Sequence, residues 1–342
     1  MTDAVLRVIH AGPLVTIQDL GRAGLMRFGV PASGAMDRFS HGAALAALGL
    51  DRDAPAVEVS MGGLSLECRS GTVSFALCGG DFTFDHDGTR LPSWTVRTLH
   101  AGQTLRVQPG RSGNWATLAF AGALDTACWL GHAATHSTSG LGGGPLTAGQ
   151  ILHVKDAHST PEREGEIATS EALIHPQQRL DVPVVIGPQE AQFTAAARHT
   201  FETETFRVSP AFDRMGLRLE GPLLDLEDAL SIPSEPAMRG SIQVAGDGVA
   251  TVLMADHQTT GGYPKIATVP LAWTDLLAQA RPGTRIKFKP VTPAGAIAST
   301  KQIESQRRDA LAQISIPRGT FAQRLMRANL ISGVTAGIDE LT

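Results

Sequence analysis

The chain is short of cysteine, aromatic residues, surplus basic charge and long apolar runs, and each shortage closes off a class of protein. Cys68, Cys78 and Cys128 lack C-x-x-C spacing and, being three, cannot all pair within one chain. A disulfide scaffold is therefore excluded, and a reduced cytoplasm is the simplest home. Lys and Arg number 29 against 33 Asp and Glu, a formal net charge of −4, which leaves no electrostatic footprint for nucleic acid or an anionic membrane. No stretch approaches a membrane span. The opening M-T-D-A-V-L-R-V-I-H carries an acid and lacks the apolar run and small-residue cleavage site of a secretory signal. Familiar signatures are missing as well. Without G-x-x-x-x-G-K-[ST], any use of ATP is not of the P-loop type. No G-x-S-x-G elbow occurs. Gly140 to Gly144 is followed by Pro145 and a strand pattern, so it is a loop, with a substrate lid as its functional alternative, and not a dinucleotide fingerprint.

What is plentiful is glycine and proline, 37 and 20 residues against 5% aromatics, a balance that suits many short strands joined by tight turns. With 342 residues there is room for two domains. Val5–Ile9, Leu14–Ile17, Val57–Ser60, Leu64–Cys68, Val73–Cys78, Phe82–Phe84, Thr104–Gln108, Ala116–Ala121 and Ile151–Val154 read as strands, and Phe39–Leu48 as a helix stopped by Gly49. After a polar stretch, strands are expected at Val182–Ile186, Thr205–Ser209 and Val249–Ala255, with a short helix around Gln189–His199. Ser299–Ser315 has helical spacing, and Phe321, Leu325 and Ala328 suggest a further helix. Such a tail is expected to pack back on its own domain.

The chain also resembles itself. Asp37-Arg38 is echoed by Asp213-Arg214, and Glu58-Val-Ser-Met-Gly-Gly63 by Glu235-Pro-Ala-Met-Arg-Gly240. Leu77-Cys-Gly-Gly-Asp81 is echoed by Leu253-Met-Ala-Asp256, and Ala101-Gly-Gln-Thr by Pro282-Gly-Thr. Four matches in one order imply two related antiparallel β domains, at residues 1–155 and 180–297, with a linker at 156–179 and a helical tail at 298–342.

Three segments carry chemistry-bearing side chains. The first holds Gln18, Asp19, Arg22, Ser33, Gly34 and Asp37 in a glycine-rich stretch where arginine can act as a fork-shaped anion donor. The second holds Asp213 and Arg214, whose alternative use is to stitch a turn. The third, Asp256 to Val269, follows a buried-strand pattern with His257, Gln258, Thr259 and Thr260, then Gly261, Gly262, Tyr263 (the only tyrosine) and Lys265. His257 suits proton transfer, Lys265 suits neutralising a carboxylate or phosphate, and the threonines and glycine amides suit an oxyanion site. His132 and His136 lie four apart without an acidic neighbour in the sequence, a poor start for a metal site.

These segments resemble a known family: the biotin-dependent carboxyltransferase-like, or allophanate hydrolase subunit 2, family, which takes in the C subunit of 5-oxoprolinase and the Kip antagonist. The matching pieces are G-P-L-V-T-I-Q-D-L-G-R (12–22), G-V-P-A-S-G-A-M-D (29–37), V-S-P-A-F-D-R-M-G-L-R-L-E-G-P (208–222), S-I-Q-V (241–244, with Gln243) and D-H-Q-T-T-G-G-Y-P-K-I-A-T-V (256–269). The resemblance implies two cyclophilin-like antiparallel β-barrels and an obligate Kip inhibitor-like partner subunit. Asp19, His257 and Lys265 become the candidate catalytic groups, and the other residues named in the three segments become candidate contacts for a small amide substrate. In the 5-oxoprolinase type, a LamB/YcsF-like third subunit joins, and ATP with Mg drives opening of the pyroglutamate lactam to glutamate. In urea carboxylase-like members the corresponding halves form a carboxyltransferase that uses carboxybiotin. Without a biotin-acceptor A-M-K-M sequence, the chain looks more like the oxoprolinase type. A carboxyltransferase component and a non-catalytic regulator of the Kip antagonist kind are the alternatives. One departure stands out: His257 occupies a place where the family pattern D-R-Q-T-T-G-G-Y carries arginine.

Overall fold

A computed structural model of the chain describes residues 3–169, 178–227, 232–320, 322, 323 and 326. The expected helix around Phe321, Leu325 and Ala328 falls on residues outside that set.

The first unit is two antiparallel sheets around one core. One sheet runs in the order Ala123–Asp125, Ile151–Lys155, Ala4–Ala11, Leu64–Ser70, Thr104–Gln108, Thr83–His86 and Thr89–Pro92. The other runs Gly165–Glu166, Thr95–His100, Thr72–Cys78, Trp115–Phe120, Ala56–Ser60 and Thr16–Gln18. Leu6, Leu66, Phe84 and Leu105 from the first sheet meet Val57, Phe75, Leu77 and Leu118 from the second, with Phe75 and Phe84 edge to face at 5.5 Å. The strand Thr72–Cys78 reads as one apolar run because both its faces are covered. Phe75 and Leu77 point into the sheet-on-sheet core, while Ala76 and Cys78 face helix α1 (Arg38–Leu48), where small side chains let the helix approach closely. The Gly165–Glu166 strand and the buried Ile167 show that the stretch expected as linker first runs along the first unit.

The second unit closes into a seven-stranded barrel: Arg179–Ile186, Lys265–Thr268, Ser241–Val244, Ala250–Leu253, Gly216–Glu220, Phe206–Phe212 and Arg285–Pro290. A parallel seam joins the first and last of these strands. Helix α2 (Ala195–Thr203) packs Phe201 on Phe288 at 4.8 Å, and α3 (Leu271–Ala278) lies against the first unit. The fold is thus mainly β with two related units, as the sequence implies. The matched glycines show the relation directly. Gly63 and Gly240 (φ 74° and 92°) each precede a strand in the left-handed region, and so do Gly102 and Gly283 (86° and 88°). Asp37 and Asp213, in contrast, serve different local structures, a helix cap and a strand-joining turn.

Helix α4 (Pro293–Ser315) starts earlier than its apolar spacing suggests, because Thr292 accepts a hydrogen bond from Gly295 N–H and Pro293 fits the first turn. It does not stay on its own unit. Ile314 and Leu311 pack on α1 of the first unit, and Arg307 pairs with Asp275 of α3 at 2.7 Å. Asp275 also holds Arg38 of the first unit (2.9 Å) and Arg239 (3.3 Å). Burial opposes ionisation of Asp275, but the charges of Arg38, Arg307 and Arg239 outweigh it and keep its carboxyl below the ordinary range.

Beside this cluster, His41 on α1 is buried, and burial pulls its pKa down to about 4. An unfolded histidine protonates near 6.5, so between the two values the unfolded chain binds more protons. Stability therefore falls as pH drops through that window, by about 3 kcal/mol at most. Urea midpoints between pH 7 and 5 are expected to fall more steeply for the wild type than for His41→Gln. Equal slopes would refute the assignment.

Candidate functional site

Between the units lies a buried ionic junction. Arg214, at the turn joining two barrel strands, is fully buried. Its Nε and Nη2 donate to the two carboxylate oxygens of Asp256, each at 3.0 Å, in a fork-to-fork pair. Its Nη1 donates to Glu58 of the first unit, and its Nη2 also donates to Gly34 O at 2.7 Å. The second Glu58 oxygen accepts from Met36 N–H (2.6 Å), and Asp256 accepts from Ser137 N–H (2.9 Å). Burial pushes the Glu58 carboxyl up against the pull of Arg214. Burial acts the same way on Asp256, but the Arg214 charge and the hydrogen bonds from Arg214 and Ser137 outweigh it, so that carboxyl lies below the usual range. Through this junction the loop that opens at Asp256 is seated against the first unit's residues 34–36 and 137.

The first segment is largely bound up in its own structure. Asp19 accepts from Gly21 N–H and Ala133 N–H, both at 2.7 Å, and lies 3.6 Å from His132 Nδ1. The acidic neighbour that His132 lacks in sequence is thus supplied in space. Arg22 is fully buried, donates to Trp129 O and Ala134 O, and stacks on the Trp129 ring. Its Nη1 is buried without a hydrogen-bond partner, as are Gln18 Oε1 and Ser33 Oγ. Gln18 otherwise donates to Thr16 and Thr135. Ser33 and Gly34 both have positive φ (55° and 90°), and a side chain at Gly34 would collide with the Leu20 backbone. Asp37 caps α1 through Phe39 and Ser40 and accepts from Gln279 Nε2 of the second unit at 2.7 Å.

In the second unit, an open cleft of about 450 Å³ is lined by Asp213, Met215, Arg218, Gln243, Thr251 and Gln258 among others. Gln258 Nε2 donates to Gln243 Oε1 at 2.9 Å. The glycine-rich loop of the first unit reaches Met215 through Thr138. Asp213 stitches the turn, accepting from Met215 and Gly216 N–H. His257 is buried, with Nδ1 against Gln258 O at 2.7 Å, and burial lowers its pKa. Thr260–Gly261 pairs with Glu235–Pro236, the Thr259 and Gly262 carbonyls accept backbone N–H groups, and Tyr263 stays exposed. Lys265, opposite Gln243 in the sheet, places its ammonium 3.5 Å from Tyr263 O. Burial lowers its pKa against the opposing charge of Glu235. Gln189 braces this corner, accepting from Lys265 N–H and donating to Glu235.

Gln243 and Gln258 are therefore brought together on one cleft with Asp213, and Lys265 stands opposite Gln243 in the sheet, whereas Asp19, Arg22 and Asp37 belong to the neighbouring junction. Glu58, Glu235 and Gln189 are not among the site residues the sequence picks out, and His132 stands there only as a poor metal ligand. The repeat held the signal for two of them, since its matched glutamates are Glu58 and Glu235. Among the described residues no three His, Cys, Asp or Glu side chains gather to hold a metal ion. Removing Arg214 strands two buried carboxylates, so Arg214→Ala is expected to cost about 3–5 kcal/mol, and Lys, which lacks the fork, is expected to rescue little. Asp213→Asn keeps the turn oxygen and is expected to change stability by about 0.5 kcal/mol or less. Chemical denaturation of the three variants checks this ranking.

Comparison with known proteins gives this geometry a setting. The chain is 34% identical to the C subunit of 5-oxoprolinase from Haemophilus influenzae across 84% of its own length and 92% of the relative's. Among solved structures it matches the protein TTHA0988 at a TM-score of 0.74 and 30% identity, covering 84% of this chain but only 55% of that one. It also matches the urea carboxylase of Kluyveromyces lactis at a TM-score of 0.79 over 91% of this chain and 29% of that one; at 22% identity this likeness speaks for the fold alone. A family model covers residues 28–290, and the chain belongs to the family it describes, the carboxyltransferase domain, subdomains A and B.

Proposed function

We propose that the chain is one subunit of an ATP-dependent 5-oxoprolinase, opening pyroglutamate or a closely related cyclic amide. The observation that carries this reading is the near full-length relationship to the C subunit of a 5-oxoprolinase. The site is compatible with it. A lactam offers no activated leaving group. Transfer of the terminal phosphoryl group of ATP to the amide oxygen would create one; water would then add to the carbon, cleavage of the C–N bond would leave an acyl phosphate, and a second water would hydrolyse that to the open-chain amino acid and inorganic phosphate. On this reading Lys265, whose ammonium makes one long hydrogen bond, to Tyr263 O, would neutralise charge on the amide oxygen. Gln243 and Gln258, which line the cleft, would orient the amide there. Asp19 and His132 form an acid–histidine pair next to the junction, the better candidate for proton transfer than His257, whose Nδ1 is already engaged.

The described residues offer no carboxylate cluster for Mg, so the metal is assigned to the nucleotide and the companion subunits. Those companions are a Kip inhibitor-like and a LamB/YcsF-like subunit. The three unpaired cysteines suit a reducing cytoplasm for the complex. No helix among the described residues is long and apolar enough to cross a membrane.

The carboxyltransferase description of the family and the urea carboxylase fold favour a second reading, transfer from carboxybiotin to an amide. Reconstitution separates the two. With both companion subunits, glutamate is expected to form only when ATP and pyroglutamate are present. Turnover that instead requires a biotinylated carrier would establish the second reading, and no turnover from a folded complex would remove the first. Lys265→Ala is expected to lower kcat by about 100-fold or more with little change in Tm. Because catalysis on this reading needs charged Lys265, whose pKa burial lowers, the rate is expected to fall as pH rises toward that depressed value, below the ordinary lysine range.

A further inference from the structure

A second concave site lies at the opposite seam of the barrel, where its strands close on the first unit. It is a cleft of about 500 Å³ whose described lining includes Arg111, Arg207, Arg281 and Arg285 and no acidic residue. It shares no lining residue with the cleft at Gln243 and Gln258. In an acidic chain, such a concentration of guanidinium groups calls for a cause.

The sheet register sharpens the point. Arg285 stands directly opposite Arg207 on one neighbouring strand and directly opposite Arg179 on the other. Like charges in directly opposed positions destabilise a sheet, and here three lie in one row. The acids nearby relieve only its ends: Asp181 lies 3.4 Å from Arg179, and Glu220 stands opposite Arg207 on its far side. Arg281 donates its Nε to Gly113 O (2.9 Å), while its Nη2 is buried without a hydrogen-bond partner. Asp81 is the acid whose charge acts on Arg281, and one of its oxygens already accepts from Arg111 N–H. The Gly283 turn, in the left-handed region, brings Thr284 to the rim.

We infer that this cleft binds a polyphosphate anion, either free pyrophosphate or the phosphate chain of a nucleotide. The planar fork of arginine matches phosphate oxygens, and an anion bridging Arg207, Arg281 and Arg285 converts a repulsive row into charge-assisted hydrogen bonds. The inference does not rest on the 5-oxoprolinase reading.

Calorimetric titration of the full chain with pyrophosphate, ATP, AMP and sulfate tests it. Pyrophosphate and ATP are expected to bind and to compete with each other. ATP tighter by about tenfold or more would identify a nucleotide as the source, and equal affinity a free pyrophosphate. Arg285→Gln and Arg207→Gln are each expected to weaken binding by about tenfold or more while leaving the Tm of the ligand-free protein unchanged or raised, since each removes a like-charge contact. Lys265→Ala is expected to keep pyrophosphate binding, which separates this site from the proposed catalytic one. Absence of binding, equal binding of sulfate and AMP (an adventitious anion only), or binding lost in Lys265→Ala but kept in Arg285→Gln would overturn the inference.

Discussion

One guanidinium, that of Arg214, sets the terms for the rest of the molecule. It is fully buried between Glu58 of one unit and Asp256 of the other, and two carboxylates share its single positive charge. A buried charge left alone is prohibitively unfavourable, so the units are joined by the need of each carboxylate for the same arginine rather than by a broad apolar face alone. The backbone amides of Met36 and Ser137 offset the residual negative charge. The same arrangement fixes where the Asp256 loop leaves the barrel and therefore where Gln258 and Lys265 come to lie.

The polar segments thus divide into those that build the junction and those left over for chemistry. Asp37 and Asp213 satisfy backbone amides, Asp19 does so while also lying beside His132, and Arg22 is enclosed by carbonyls and a tryptophan ring. Gln243 and Gln258 border the open cleft, and Lys265, buried beside Gln243 in the sheet, has one long hydrogen bond from its ammonium. A buried ion-pair network of this kind holds the neighbouring side chains in fixed positions. His257 fits this picture as a buried brace for the loop, its Nδ1 held against Gln258 O.

Much of the fold was legible because it rests on local rules. Alternating apolar residues marked the strands, Gly49 marked the end of α1, and the paired glycines at 63/240 and 102/283 marked equivalent turns. The site was legible in part, as motifs, since glycine-rich and charged segments stand out in a chain poor in both aromatic residues and surplus charge. What sequence could not supply was adjacency. Asp19 meets His132, Glu58 meets Arg214, and Arg179, Arg207 and Arg285 form a row only because loops cross and a barrel closes. The tail misled for a similar reason: its apolar spacing showed a helix but not which unit would receive it.

That tail has a consequence for how substrate enters. Helix α4 leaves the second barrel and returns to α1, while Asp275 gathers arginines from both units and from α4 itself. The two units are therefore fastened on two flanks, at Arg214 and at Asp275. A clam-shell opening about one hinge would break one cluster or the other. The cleft at Gln243 and Gln258 is open, so a ligand can reach it past exposed Thr138, which touches Met215 at its edge, without parting the two units.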